Sequence, residues 1–390
     1  MLATTASDRP TRAPDVVVVG AGIVGTACAF AAARAGLSVV VVEGGAIAGG
    51  TSGAGEGNLL VSDKLPGPEL DLALLSARLW RDDLAPWLGP RLEYEAKGGL
   101  VVAPTSEAAA ELGETTAAQR AAGVAVTDVA AADLPTIEPY LAPDLAGGAH
   151  YPADAQVQPI AATALLLREA RTLGTRVLTG TRVTGLLRAG DRVTGARTPS
   201  GDLPAGAVVN AAGPWSGEVA ALAGVDLPVR PRRGFVLVTA PLPHVVRHKV
   251  YTAAYVGDVV SDEAALQSSA VVEGTPAGTL LIGASRERVG FDRTPAVPVL
   301  RRLAAQAVGL FPVLAAIPVL RTYLGFRPCS PDHLPLLGPD PRAPGLLHAT
   351  GHEGAGIGLA PATGALVAQL LTGEHPELDL HPFRPERFAA

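Results

Sequence analysis

The chain has 390 residues, 48% of them apolar and 17% charged, with 31 basic against 37 acidic side chains. That length holds two or three structural units with a full hydrophobic core, and the composition excludes intrinsic disorder. The net charge of −6 lacks the basic footprint that nucleic acid requires, and two cysteines cannot build a disulfide framework or a zinc site.

Residues 1–14 are polar and rich in Thr, Ala and Pro, and read as disordered. From Val16 to Ala33 the chain is uncharged for 18 residues, just long enough to raise a membrane helix or a signal sequence. The internal order argues against both. Val16–Val19 is a short β-branched run, and Gly20, Gly22 and Gly25 follow at GxGxxG spacing. A helical stretch continues to Gly36, and a second valine run, Val39–Val42, ends at Glu43. A membrane span has no use for strand, glycines, helix and strand in succession, so no span is expected.

The pattern is that of a dinucleotide site. Gly20 permits the tight turn, Gly22 leaves room for a pyrophosphate, and Gly25 lets the helix pack closely on the sheet. The helix N-terminus then offers N–H groups to the phosphates, and Glu43, 18 residues past Gly25, accepts both ribose hydroxyls. Such a site fits NAD or FAD, while the acid at 43 disfavours NADP. The stretch from Gly49 to Asn58 is small and rich in hydroxyls, which suits a chain passing under a larger group and favours FAD.

Leu70–Trp80 and Pro159–Leu173 have helical apolar spacing. Val177–Leu178, Val183–Leu187 and Val193–Arg197 read as a small meander, and Val208 to Trp215 as a strand ending in small residues against a ligand. Residues 229–240, 250–260, 270–274 and 279–285 alternate as strands of a second, antiparallel sheet. The Arg230-Pro231-Arg232-Arg233 cluster reads as a solvated face, Cys28 as a small core residue, and the eight histidines show no metal-ligand spacing. Leu359–Leu371 reads as the last helix, with Pro361 tolerable in its first turn.

Four segments together carry a family resemblance: the fingerprint, the strand Asn210-Ala211-Ala212-Gly213-Pro214-Trp215, the segment Gly325 to Asp332, and the glycine-rich run Gly351 to Gly364. On these the chain resembles the FAD-dependent D-amino-acid/glycine/sarcosine oxidase family over nearly its whole length. Ser52–Lys64 and Gly351–Gly354 look most like the branch that contains the FAD subunit of hydrogen cyanide synthase and the small subunits of opine oxidases and D-hydroxyproline dehydrogenases.

The resemblance implies an α/β fold, with a Rossmann-like FAD-binding domain from residues 14–80, 150–225 and 325–385. Residues 81–149 and 226–324 would form a substrate domain on a mixed β-sheet. It implies FAD contacts at Ile23, Val24, Glu43, Gly44, Thr51, Ser52, Glu56, Gly57, Asn58 and Val183. His352, Glu353, Gly354, Ala355, Gly356, Ile357 and Gly358 would run along the flavin ring. Arg327 matches the position that grips the substrate carboxylate, where a planar bidentate fork fits and lysine replaces it poorly. Tyr251 or, preferably, Tyr255 would add a hydroxyl. His352 would orient or act electrostatically rather than serve as a base.

Gly354 departs from glycine-oxidase-like members, which can carry a second arginine there, and this puts glycine specificity in doubt. Cys329 does not fall at the offset of the covalent flavin link of some sarcosine oxidases, so FAD is expected to be noncovalent. The implied reaction is oxidation of the C–N bond of a small amino or imino acid such as glycine, D-proline or a hydroxyproline. An alternative is a catalytic subunit passing electrons to an iron–sulfur or flavoprotein partner, and a third reading is a flavoprotein acting on another class of substrate. The three lysines, Lys64, Lys97 and Lys249, lie in no segment matched to the flavin ring, so slow reoxidation by air is expected. A cytoplasmic location is expected.

Overall fold

The computed structural model describes residues 13–255 and 266–388. The expected disorder of residues 1–12 and the end of the expected strand at 256–260 lie outside these residues. The two valine runs form β1 (Val16–Val19) and β2 (Val39–Val42), paired in parallel and buried on both faces. β-Branched side chains fill such a doubly covered position well, which is why the runs do not alternate with polar residues. Helix Ile23–Arg34 makes the crossover between them. A two-residue strand, β3 (Asn58–Leu59), precedes helix Pro68–Leu79.

β4 (Gly99–Ala103), β5 (Thr127–Ala130) and β6 (Gly147–Tyr151) belong to a second sheet, and β7 (Ala155–Gln156) pairs back onto β3. After helix Pro159–Thr172 come β8 (Arg176–Leu178) and a meander of β9 (Gly185–Ala189), β10 (Arg192–Thr198) and β11 (Gly201–Pro204). β12 (Ala207–Asn210) then returns to pair with β1. The second sheet continues with β13 (Arg230–Thr239), β14 (Lys249–Thr252), β15 (Gln267–Gly274), β16 (Leu280–Arg286) and β17 (Val319–Cys329). β18 (Leu336–Pro339), β19 (Leu346–Thr350) and helix Gly356–Thr372 complete the first layer.

Among the described residues the first sheet runs β18-β19-β12-β1-β2-β8 and the second β17-β13-β16-β15-β14-β4-β6-β5. The expected division at 324/325 therefore falls inside β17, which carries residues 325–329 with the second sheet. β6 likewise spans the expected division at 149/150. Helices Ile23–Arg34 and Gly356–Thr372 cross closely, and a Cβ at Gly364 would come within 2.6 Å of the Ala27 carbonyl oxygen. No helix among the described residues is long and apolar enough to cross a membrane.

The arginine cluster at 230–233 is not a solvated face. β13 is an interior strand, covered on both sides, and only Arg230 is exposed. Arg233 pairs with Glu287 at 3.1 Å and Asp292 at 2.8 Å, while Arg232 pairs with Glu353 at 3.4 Å and donates to Gln267 at 2.5 Å. Such partners offset the cost of taking a guanidinium out of water.

A second buried polar network sits where the layers meet. Asp154 accepts the Val61 and Ser62 N–H groups at 2.8 and 3.3 Å and the Ser62 hydroxyl, which also bonds the Tyr251 hydroxyl at 2.5 Å. Burial dominates over these bonds and pushes the Asp154 carboxyl up to about 7 from its ordinary 3.8. Between those values the folded chain holds the proton and the unfolded chain has lost it, so this group's contribution to stability falls as pH rises through that window. Asp154→Asn should remove its share of the slope, up to ~1.4 kcal/mol per pH unit, in urea titrations from about pH 4 to 7. An identical slope in the variant would show that Asp154 is ionised throughout.

Candidate active site

A cavity of about 780 Å³ lies between the two sheets, running from the β1 turn to the start of the last helix. At one end Gly20 has φ +107°, and a Cβ there would come 2.5 Å from the Ala211 carbonyl oxygen. A Cβ at Gly25 would overlap the Gly20 carbonyl, so that glycine sets the approach of the helix to the turn. The Ile23 N–H is taken by the Ser52 hydroxyl at 2.9 Å, a cap supplied from a distant loop. The Glu43 carboxylate closes this end. Its two oxygens accept the Ala21 and Gly45 N–H groups, each at 2.7 Å, and each oxygen keeps acceptor capacity on the cavity wall.

In the middle, the Thr51 hydroxyl donates to the Phe326 carbonyl at 2.5 Å and ties this loop to β17. Glu56 is buried and packs over Gly283 on β16, where a Cβ would overlap its carboxylate. Glu56 Oε1 and Asn58 Oδ1 are buried acceptors without a hydrogen-bond partner among the described residues, and both residues line the cavity. A bound group bearing N–H and O–H donors would relieve exactly such acceptors.

At the far end β17 presents Arg327, whose Nη1 donates to the Ser285 carbonyl at 2.8 Å. Loss of water, and next the charge of Arg286, pull its guanidinium down to about 10, so it remains a cation at neutral pH. Arg327 lies across Gly234 of β13, where a Cβ would overlap both the guanidinium and, at 2.5 Å, the Ser285 carbonyl oxygen. Gly234→Ala should therefore displace Arg327 and weaken carboxylate binding by roughly 10- to 100-fold while the protein still folds. Titration with a non-reactive carboxylate checks this, and unchanged affinity would show that Arg327 does not need this seat.

Tyr255 lines the cavity, whereas Tyr251 is fully buried with its hydroxyl held by Ser62. His352 is neutral: burial pulls it down to about 3, and its Nε2 meets the Thr363 hydroxyl at 3.0 Å. It can orient or donate one hydrogen bond but supplies no charge. Glu353, at φ 47°, receives the Cys329 thiol at 2.9 Å and the His333 ring at 2.6 Å and pairs with Arg232. Burial pushes the Cys329 thiol up to about 12, so it is an inert hydrogen-bond donor here. Cys329, His333 and Glu353 thus form a cluster of potential metal ligands that residue spacing did not reveal. At 2.6–2.9 Å they are spaced as hydrogen-bonded partners, closer than ligands around a common ion.

The cavity wall gathers Gly20, Gly22, Ile23, Val24, Glu43, Gly44, Thr51, Ser52, Glu56, Gly57, Asn58, Val183, Tyr255, Arg327, His352, Glu353, Gly354, Gly356 and Ile357. Ala355 and Gly358, expected along the ring, lie off it. Ala355 caps the last helix, and Gly358 packs on β3, its carbonyl taking the Ser76 hydroxyl at 2.6 Å. Trp215, at the end of the strand expected to run against a ligand, also lines the cavity, as do Arg182, Val236 and Phe326, which were not singled out as contacts. Trp215 ends the small-residue strand and Arg182 adjoins Val183, so position beside a recognised segment was the available signal.

These features define a flavin-dependent oxidoreductase. The chain belongs to the DAO family of FAD dependent oxidoreductases, whose model matches residues 15–370. It is 30% identical to hydrogen cyanide synthase subunit HcnC of Pseudomonas aeruginosa, over 97% of each chain. It is 33% identical to glycine oxidase of the same organism, over 95% of this chain and 98% of that one. The crystal structure of L-proline dehydrogenase from P. horikoshii superposes with a TM-score of 0.88 at 25% identity, covering 97% of this chain and 98% of that one.

Proposed function

We propose that the protein oxidises the C–N bond of a small amino or imino acid, such as glycine, D-proline or a hydroxyproline, to the imine. The observation that carries this reading is Arg327, a guanidinium fork on the cavity wall beside Gly354 and the glycine-rich start of the last helix. FAD, bound without a covalent link, supplies the acceptor for the hydride that leaves the substrate carbon. Glu43 would hold the ribose, the first helix N-terminus the pyrophosphate, and Glu56, Gly57, Asn58, His352, Glu353, Gly354, Gly356 and Ile357 the ring end. Residues 14–80, 150–225 and 325–385 would make up the FAD-binding domain, and 81–149 and 226–324 the substrate domain. Arg327 anchors the carboxylate, and Tyr255 covers the substrate and limits water. The close approach of β17 and the loop at Thr51 fixes the distance between anchor and cofactor.

Paired substrates test the reading. Glycine against methylamine, and proline against pyrrolidine, differ only in the carboxylate. Without oxygen, flavin bleaching should favour the acid of a reactive pair by roughly 100-fold or more. Equal bleaching by both members would remove the carboxylate anchor and with it the reading.

A second reading concerns the electron acceptor. Among the described residues no lysine lines the cavity: Lys64 is paired with Asp63, Lys97 with Glu95 and Lys249 with Glu273. A relative named as a synthase subunit points the same way. We infer that electrons leave to an iron–sulfur or flavoprotein partner. Reoxidation by air should then be slower than by a quinone or dye. Reoxidation by air that outpaces flavin reduction would make the protein an oxidase.

A further inference from the structure

A second arginine shares the face that carries Arg327. Directly opposed residues of neighbouring strands project to the same side of a sheet. Arg327 of β17 opposes Arg232 of β13, and Arg286 of β16 opposes Gln267 of β15. Arg232 and Gln267 are hydrogen-bonded to each other, so all four side chains stand on the face of the sheet from which Arg327 reaches the cavity wall. They differ in how they are satisfied. Arg232 is held by Glu353 and Gln267. Arg286 is only 3% exposed, and among the described residues its Nη1 has no hydrogen-bond partner and no carboxylate pairs with it. Its guanidinium stacks 4.6 Å over the ring of Tyr255, which lines the cavity.

We propose that Arg286 forms a second anion subsite beside Arg327, so that the preferred substrate is an amino or imino acid carrying a second carboxylate. The inference rests on the proposed amine oxidation and narrows its substrate class. A buried guanidinium with an unmade bond is costly unless a ligand completes it. A single α-carboxylate on Arg327 leaves Arg286 in that state, whereas a dianionic substrate satisfies both forks. Glu56 is an acid on this side that opposes Arg327, and Lys249 is already matched by Glu273, so neither supplies Arg286 with a counter-charge. A Cβ built on Gly354 would meet Arg327 at 3.4 Å, and the glycine itself adds no further cation. Discrimination thus falls to Arg286. Tyr255, stacked beneath it, separates the two carboxylates and acts as a spacer.

The test uses the FAD-loaded protein and non-reactive acids that perturb the flavin spectrum. Succinate and glutarate should bind roughly 10- to 100-fold more tightly than butyrate, and Arg286→Met should erase most of that ratio. Arg286→Lys should restore part of it. In reduction kinetics, aspartate, glutamate or iminodiacetate should outperform monocarboxylates of similar size, and the preference should collapse in Arg286→Met. Equal binding of mono- and dicarboxylates by the wild type overturns the proposal, as does a variant that weakens both alike, which would place Arg286 on the α-carboxylate. Should Arg286→Met fail to fold, the wild-type series and Arg286→Lys still decide. If no amine reduces the flavin, the amine-oxidation reading fails, while the succinate titration still reports on the subsite.

Discussion

Replacing Arg327 with alanine should leave a yellow protein that amino acids scarcely bleach. The side chain reaches the cavity from β17, and its one described hydrogen bond, from Nη1 to the Ser285 carbonyl, leaves the rest of the fork for a ligand. A carboxylate held by two charge-assisted bonds loses roughly 3–6 kcal/mol when both go, a fall of about 10²- to 10⁴-fold in reduction efficiency. Arg327→Lys keeps the charge but not the planar pair of donors, so it should fall between wild type and alanine. Anaerobic reduction rates across substrate concentration measure this. Wild-type rates in Arg327→Ala would remove the arginine from substrate binding.

Glu43 governs the other end of the cavity. Glu43→Gln keeps the shape but replaces one carboxylate oxygen with a donor, which opposes the N–H groups of Ala21 or Gly45. FAD affinity should drop by roughly 10- to 100-fold through loss of charge-assisted acceptance from the ribose. Glu43→Ala should drop further, because both N–H groups lose their acceptor and the turn loosens. Flavin fluorescence after dilution reports release. Wild-type retention in both variants would assign the ribose to another group.

The first sheet was legible because its chemistry is local. Valine runs, glycines at fixed spacing and a terminal acid all lie within 28 residues, Val16 to Glu43. The far end of the site was legible only through resemblance, since Arg327, Gly234 and Ser285 meet by strand register rather than by spacing. The same reason explains the error at Arg232 and Arg233. Their counter-charges sit at Glu353, Glu287 and Asp292, and a chain read in order cannot show that an arginine run becomes an interior strand. Tyr251 and Tyr255 could not be separated for a related reason. The choice depends on Ser62, which donates to Asp154 and bonds the Tyr251 hydroxyl from a distant part of the chain.

A single anaerobic turnover tests the central claim most directly. FAD-loaded protein is mixed with one equivalent of its best amino or imino acid, and flavin absorbance is read beside the organic product after quench. The expected result is loss of the oxidised flavin band together with one equivalent of imine or its hydrolysed oxo acid. Flavin that stays oxidised with every amino and imino acid, yet bleaches with an alcohol or another nitrogen-free substrate, would contradict it.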